Sequence, residues 1–300
     1  MPPTSSYLLF SGKEAVLIDP GYPDPKVMGM LEELVPQGLR FSVILTHGHI
    51  DHCAASGILM ESRGARVMVH EMDVEKVSLG AVRALKMRKK EVEAHWRALG
   101  FERIGELWEA LRRLEDLYPE PLKDISPLPR EVTVGNKSLM VIHTPGHTAG
   151  SVCLLLKGES IMFSGDTLLP SGYDTWLAGL CFAEKGAYPE DYIGSLHKIA
   201  VLDPRLILPG HGEPFTDLRG RLSEGMARRK ERKDRVLEAL TEERTAYQIS
   251  LLLDPEPEGF VRLISVSMVL EALRELEKEG LVESRGGEVL FWRRSWGRRT

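Results

Sequence analysis

Short apolar runs open the chain and predict strands. Tyr7 to Phe10 and Ala15 to Ile18 are split by Ser11, Gly12, Lys13 and Glu14, the pattern of a β-hairpin. Pro20, Gly21 and Pro23 break the chain, and Val27, Met28, Met30, Leu31, Leu34 and Val35 then follow at helical spacing. Phe41 to Leu45 is a strand ending at Thr46, Ala54 to Met60 a helix, and Arg66 to His70 a return to strand. From about 71 to 130 the strand pattern vanishes. Ile104, Leu107, Trp108, Leu111, Leu114, Leu117 and Tyr118 recur at i+3 and i+4, which predicts an insert of two or three helices closed by Pro119, Pro121, Pro127 and Pro129. Alternation resumes from Glu131 to Phe163 through Val132, Val134, Leu139, Val141, Val152, Leu154 and Leu156. Tyr192 to Val201 reads as a helix and Leu206 to Leu208 as a short strand.

The pattern changes after about residue 217. Leu218 to Leu240 is a long charged helix, Ala246 to Leu253 a short one and Leu263 to Glu279 a third, with Gly280 as its C-terminal stop. Leu281 to Glu283 and Val289 to Trp292 flank Arg285, Gly286 and Gly287 as a hairpin. Three helices and a hairpin are the order of a winged helix. The predicted organisation is therefore a catalytic domain over 1–216, with its helical insert at about 71–130, and a winged-helix-like domain over 217–300.

Composition narrows the function classes. With 43% hydrophobic and 28% charged residues the chain has an ordinary globular balance. A chain of 300 residues buries about 75% of its extended surface, so it needs no metal or disulfide to hold a core. A bound metal would then serve chemistry. No apolar run approaches the ~20 residues of a membrane span, and the first ten residues lack the basic and apolar regions of a secretory signal. Cys53, Cys153 and Cys181 do not form a CxxC pair, so a reducing, cytoplasmic setting is expected. Net charge −5 argues against whole-chain affinity for nucleic acid.

The strongest chemical signal is HxHxDH: His47, His49, Asp51 and His52, directly after an apolar strand. Imidazole nitrogen and carboxylate oxygen are the ordinary ligands of zinc and also suit iron. Three further strand ends carry one such side chain each beside a glycine: His147 after Gly146, Asp166 after Gly165, and His211 after Gly210. Strand-end loops are where sites collect in layered α/β folds.

HxHxDH followed by His147, Asp166 and His211 in that order resembles the metallo-β-lactamase superfamily of metal-dependent hydrolases. TPGHT, SGDTL and PGHG sharpen the likeness toward glyoxalase II-like members, over about residues 5–215 without the insert. The resemblance implies an α+β fold, the αββα sandwich. It implies His47, His49 and His147 around one ion, Asp51, His52 and His211 around a second, and Asp166 between them. Two zinc ions are the expected cofactor, with iron or manganese as alternatives, holding a bridging hydroxide that Asp51 would orient.

The substrate is less legible. Glyoxalase II-like chains continue GDTLF into a GCG stretch and a basic residue that meets glutathione. Here Asp166 to Pro170 runs into Ser171, Tyr173 and Trp176 instead. A small thioester or ester is the lead expectation, with the insert as a candidate lid. Tyr173, Trp176, Phe182, Trp96 and Trp108 are candidates to line an apolar pocket, although Trp108 has the spacing of a packed helix residue. His143 is expected beside the site or at the surface, not as a ligand. The C-terminal unit also resembles the winged-helix tail of β-lactamase-like endoribonucleases, so cleavage of single-stranded RNA is an alternative. Residues 217–300 carry 17 basic and 16 acidic residues, no strong electrostatic footprint for nucleic acid, though Arg228 to Lys233 and the pairs Arg293, Arg294 and Arg298, Arg299 are local clusters. An iron-dependent sulfur dioxygenase is a third reading, since it shares the ligand pattern. His49 argues against the oxygen-reducing branch, and the filled ligand positions argue against an inactive regulator. A homo-oligomer is compatible with the sequence.

Overall fold

The alternating runs become two five-stranded sheets stacked face to face in the computed structural model, described for residues 3–115, 122–175, 177–184, 187–256 and 258–295. Leu117, Tyr118, Pro119, Pro121, Trp176, Arg298 and Arg299, with the side chains of Leu114 and Cys181, lie outside the described residues. The first sheet contains β1 (Tyr7–Ser11), β2 (Glu14–Ile18), β3 (Arg40–Ile44), β4 (Arg66–Val69) and β5 (Ser126–Pro127), side by side in that order. β1 and β2 form the expected hairpin, and the other neighbours run parallel. The second sheet contains β6 (Glu131–Val134), β7 (Lys137–His143), β8 (Val152–Leu156), β9 (Ile161–Gly165) and β10 (Leu206–Pro209), with only the β9–β10 pair parallel.

Strand alternation sorts the side chains into layers. Val16, Ile18, Ile44 and Met68 meet Val132, Leu139, Leu154 and Phe163 between the sheets. Ala15, Leu17, Val43 and Leu45 point the other way. They are covered by helices α1 (Pro25–Leu34) and α3 (Ser56–Arg63), through Leu31 and Leu59. Cys153, Met162 and Ile207 on the outer face of the second sheet meet α9 (Pro189–Leu202) through Leu196 and Ile199. This is the αββα sandwich.

Between α1 and α3 lies a single helical turn, α2 (Ile50–Cys53). The helix expected over Ala54 to Met60 thus begins earlier and is interrupted, and α2 carries Asp51 and His52 on helix rather than loop. The insert also has more pieces than two or three. A 3₁₀ turn at Glu71–Asp73 leads into α4 (Val74–Leu79), α5 (Ala81–Met87), α6 (Lys89–Ala98) and α7 (Ile104–Glu115). Gly80, at φ +82°, separates α4 from α5, a backbone angle that a helix interior does not permit.

After the short α8 (Ala178–Cys181) and α9, the C-terminal segment contains α10 (Leu218–Ala239), α11 (Ala246–Leu253) and α12 (Gly259–Lys278), then the hairpin β11 (Val282–Gly286) and β12 (Leu290–Arg294). The order of three helices and a hairpin is the one expected. One apolar cluster runs through Trp96 and Leu111 of the insert, Leu177 before α8, Leu196 of α9, and Val266 and Leu270 of α12. The insert and the C-terminal helices therefore share a core. Trp96 is 0% exposed and packs on Trp108 with ring centroids 5.1 Å apart. It is packed into this core, with the Phe182 ring centroid at 6.4 Å, rather than standing at a pocket wall as expected; Trp108 packs as its spacing indicated. Glu271, 2% exposed on α12, is held by Arg229 and by Arg232 at 3.4 Å, partners that a buried carboxylate requires. Among the described residues, no helix is long and apolar enough to cross a membrane.

Candidate metal centre

The seven predicted side chains converge at one end of the sandwich, where β2, β3, β7, β9 and β10 finish. Potential ligand atoms of His47, His49 and His147 lie within 4.8 Å of one another, as do those of Asp51, His52 and His211, and those of His47, His52 and Asp166. Asp166 sits between the sets: Oδ2 is 3.6 Å from His147 Nε2 and 3.5 Å from His211 Nε2, and Oδ1 is 3.4 Å from His52 Nε2. Asp51 Oδ2 is 3.3 Å from His211 Nε2.

Local backbone explains the convergence. Gly165, at φ +49°, ends β9 and turns Asp166 into the centre. Gly210 N–H donates to Gly165 O at 2.8 Å, which ties the His211 loop to the Asp166 loop. A Cβ at Gly210 would fall 2.4 Å from Asp166 Oδ1, so only glycine permits this approach.

The imidazoles are oriented from behind. Asp19, 2% exposed, accepts from Thr46 N–H at 2.7 Å, from Thr46 Oγ1 at 2.6 Å and from His52 Nδ1 at 2.9 Å. Because the Thr46 hydroxyl proton is committed to Asp19, Thr46 Oγ1 accepts from His47 Nδ1 at 3.1 Å. His211 Nδ1 donates to Pro3 O at 3.1 Å. In the neutral form of all three rings this leaves Nε2 as the unprotonated nitrogen, aimed at the centre, the tautomer a metal ligand needs. His47 Nε2, His52 Nε2 and Asp166 Oδ1 are buried with no hydrogen-bond partner. Buried polar atoms are rarely left this way. Orphaned acceptors, a correct tautomer and an N/O donor set together fit metal ions.

The electrostatics of the bare side chains show how tightly they are held. Burial, then the neighbouring imidazoles, pushes His47 well below the usual imidazole range, and burial with His147 pushes His49 down to about 3. Burial alone would raise Asp166, but His52 and His211 outweigh it and hold the carboxyl well below its ordinary value. Burial is likewise outweighed at Asp51, lowered to about 2 by His211 and His52, and at His211, raised to about 10 by Asp166 and Asp51. His52 is raised by Asp166 and Asp19 against its burial.

Residues outside the seven behave differently. His143 Nε2 lies 2.8 Å from Ala149 O and its ring stacks on His70 at 4.1 Å, beside the site. Burial pushes the Cys53 thiol far up, which leaves it unreactive. Tyr173 lies against Gly212, next to the His211 loop. The sequence reading missed Asp19 and Asp73. Asp19 has the guise of a turn residue before Pro20, and Asp73 lies in a charge-rich stretch. A signal did exist for Asp19, a lone acid at the end of the strand beside the one that leads to His47.

Comparison with known proteins agrees with this geometry. The Beta-lactamase-like protein 2 homolog of Caenorhabditis elegans is 26% identical over 294 residues, which span 96% of this chain and 83% of the relative. An atrochrysone carboxyl ACP thioesterase of Aspergillus fumigatus is 25% identical over 242 residues, 79% of this chain and 59% of the relative. The crystal structure of a metallo-beta-lactamase family protein from Thermus thermophilus superposes with a TM-score of 0.75 at 29% identity, covering 97% of this chain and 93% of that one. Residues 2–211 match the signature of the Metallo-beta-lactamase superfamily, and the chain belongs to that superfamily as one of its metallo-hydrolases.

Proposed function

We propose that the protein is a dinuclear zinc hydrolase of small thioesters or esters. The observation that carries this reading is the convergence of seven His and Asp side chains with orphaned, centre-facing atoms on His47, His52 and Asp166. His47, His49 and His147 would hold one ion, Asp51, His52 and His211 the other, and Asp166 both. When bound, such ions acidify water toward pKa ~7 and polarise a carbonyl oxygen. Asp51, 8% exposed, would also accept a hydrogen bond from the attacking water and aim it.

Two observations favour a small acyl substrate over RNA. A relative that spans most of this chain bears the name of an acyl-carrier-protein thioesterase. The hairpin arginines of the winged-helix-like unit are already engaged, Arg285 with Glu243 and Arg293 with Glu283. Among the described residues of the hairpin, Arg294 is turned onto Leu237 O as well, so little of this positive charge is presented for a phosphate backbone. The test is a chelator-sensitive assay on a panel of acyl thioesters and esters beside labelled single-stranded RNA. Metal-dependent thioester hydrolysis with intact RNA is expected; RNA cleavage without acyl hydrolysis would overturn the reading.

A further inference from the structure

The first turn of the helical insert reaches into both loops that carry the His47, His49 and His147 cluster. Asp73 is 0% exposed. Its Oδ2 accepts from Gly48 N–H at 2.8 Å and from Thr148 Oγ1 at 2.7 Å. Its Oδ1 accepts from Gly150 N–H at 3.2 Å and from Lys76 Nζ at 2.8 Å. Gly48 lies between His47 and His49, and Thr148 follows His147, so one carboxylate spans the two loops that supply all three imidazoles. Close approach is possible because both loops have glycine there: a Cβ on Gly150 would lie 2.6 Å from Asp73 Cγ, and one on Gly48 would lie 3.0 Å from Lys76 Cβ. Lys76 also pairs with Glu184, which accepts from Ala149 N–H at 3.0 Å and secures the second loop again.

We propose that Asp73 is a positioning residue dedicated to the three-histidine site, fixing its loop-to-loop spacing, and that it does not serve the site of Asp51, His52 and His211. The inference rests on the two-ion reading above. A carboxylate has about four acceptor positions, and all four are used here. An asparagine fills at most two and turns its own N–H groups toward donors, so Asp73→Asn disrupts the junction at constant volume. The bonds of Asp73 go to Gly48, Thr148, Gly150 and Lys76, none of them one of the seven candidate ligands. Its effect passes through the backbone of Gly48 and through Thr148.

The experiment titrates Co²⁺ alone into metal-free full-length chain, followed by visible absorption and elemental analysis. His49→Ala and His211→Ala supply the reference spectra of chains in which one or the other site is damaged. Asp73→Asn is expected to bind one Co²⁺ as tightly as wild type, with the spectrum of His49→Ala, and the second ~10–100-fold more weakly, the range for residues behind a metal ligand. Thr148→Val, which removes one of the four bonds to Asp73 together with the hydroxyl contact to Ser151 at 2.9 Å, should weaken the same ion by less, and Thr148→Ser should restore it. If Asp73→Asn fails to fold, the Thr148 pair decides alone. Two ions bound as in wild type, or equal weakening of both, would overturn the proposal. Wild-type chain that takes up no Co²⁺ would instead sink the two-ion reading itself.

Discussion

His52 Nδ1 lies 2.9 Å from Asp19 Oδ2, and the same carboxylate oxygen takes the Thr46 hydroxyl at 2.6 Å. One buried acid thus sets the tautomer of His52 directly and that of His47 through Thr46. Asp19→Ala should lower metal affinity ~10–100-fold. It should also destabilise the metal-free fold by about 1–3 kcal/mol for each donor left unsatisfied. Competition with a chromophoric chelator and urea unfolding read the two effects. Unchanged affinity would show that Asp19 serves packing alone.

The segment preceding β1, with the first residue of β1, is the corresponding support for His211. Besides Pro3 O on His211 Nδ1, Ser5 N–H donates to Gly210 O at 2.8 Å and Tyr7 Oη donates to Pro209 O at 2.7 Å. Deleting residues 1–5 should weaken the ion held by Asp51, His52 and His211 about tenfold while the three-histidine site keeps its affinity. Stepwise metal titration of the shortened chain checks this.

Gly210→Ala places a methyl group 2.4 Å from Asp166 Oδ1 and 2.7 Å from His52 Cε1. Overpacking of this kind costs about 1–3 kcal/mol. Here the displaced atoms belong to the centre, so metal content should fall along with the melting temperature. A variant with full metal content would contradict the close approach.

His95, on α6, places Nε2 2.6 Å from Leu180 O, where the insert meets α8. Burial lowers its pKa, opposed by the bond to Leu180 and aided by Arg274. A folded pKa below the unfolded value of about 6.5 means that the unfolded chain binds more protons. The contribution is therefore fully present above pH ~6.5 and is lost as the pH falls through the folded value. Wild type should lose more stability between pH 7.5 and 5 than His95→Gln does, measured by urea unfolding at both values.

The seven converging side chains were legible because each sits in a short motif at a strand end, where type and spacing carry the chemistry. The sandwich was legible from period-two alternation in Val152 to Leu156 and its neighbours. Asp19 and Asp73 were not, since their importance lies in donors that arrive from loops 25 or more residues away, such as Thr46 and Gly48. The break at Gly80 was a visible glycine, but helical periodicity passes through it unmarked. Burial of α12 was hidden for another reason. Leu263, Val266, Leu270 and Leu273 face the common core, while Arg262 and Glu271 are buried as well, so the helix has little amphipathic contrast to read.

Elemental analysis of purified wild-type chain beside Asp166→Ala tests the centre most directly. Two metal ions per wild-type chain are expected, and one or none in the variant together with loss of hydrolysis. A wild type free of metal, or a variant with undiminished metal and activity, would contradict that expectation.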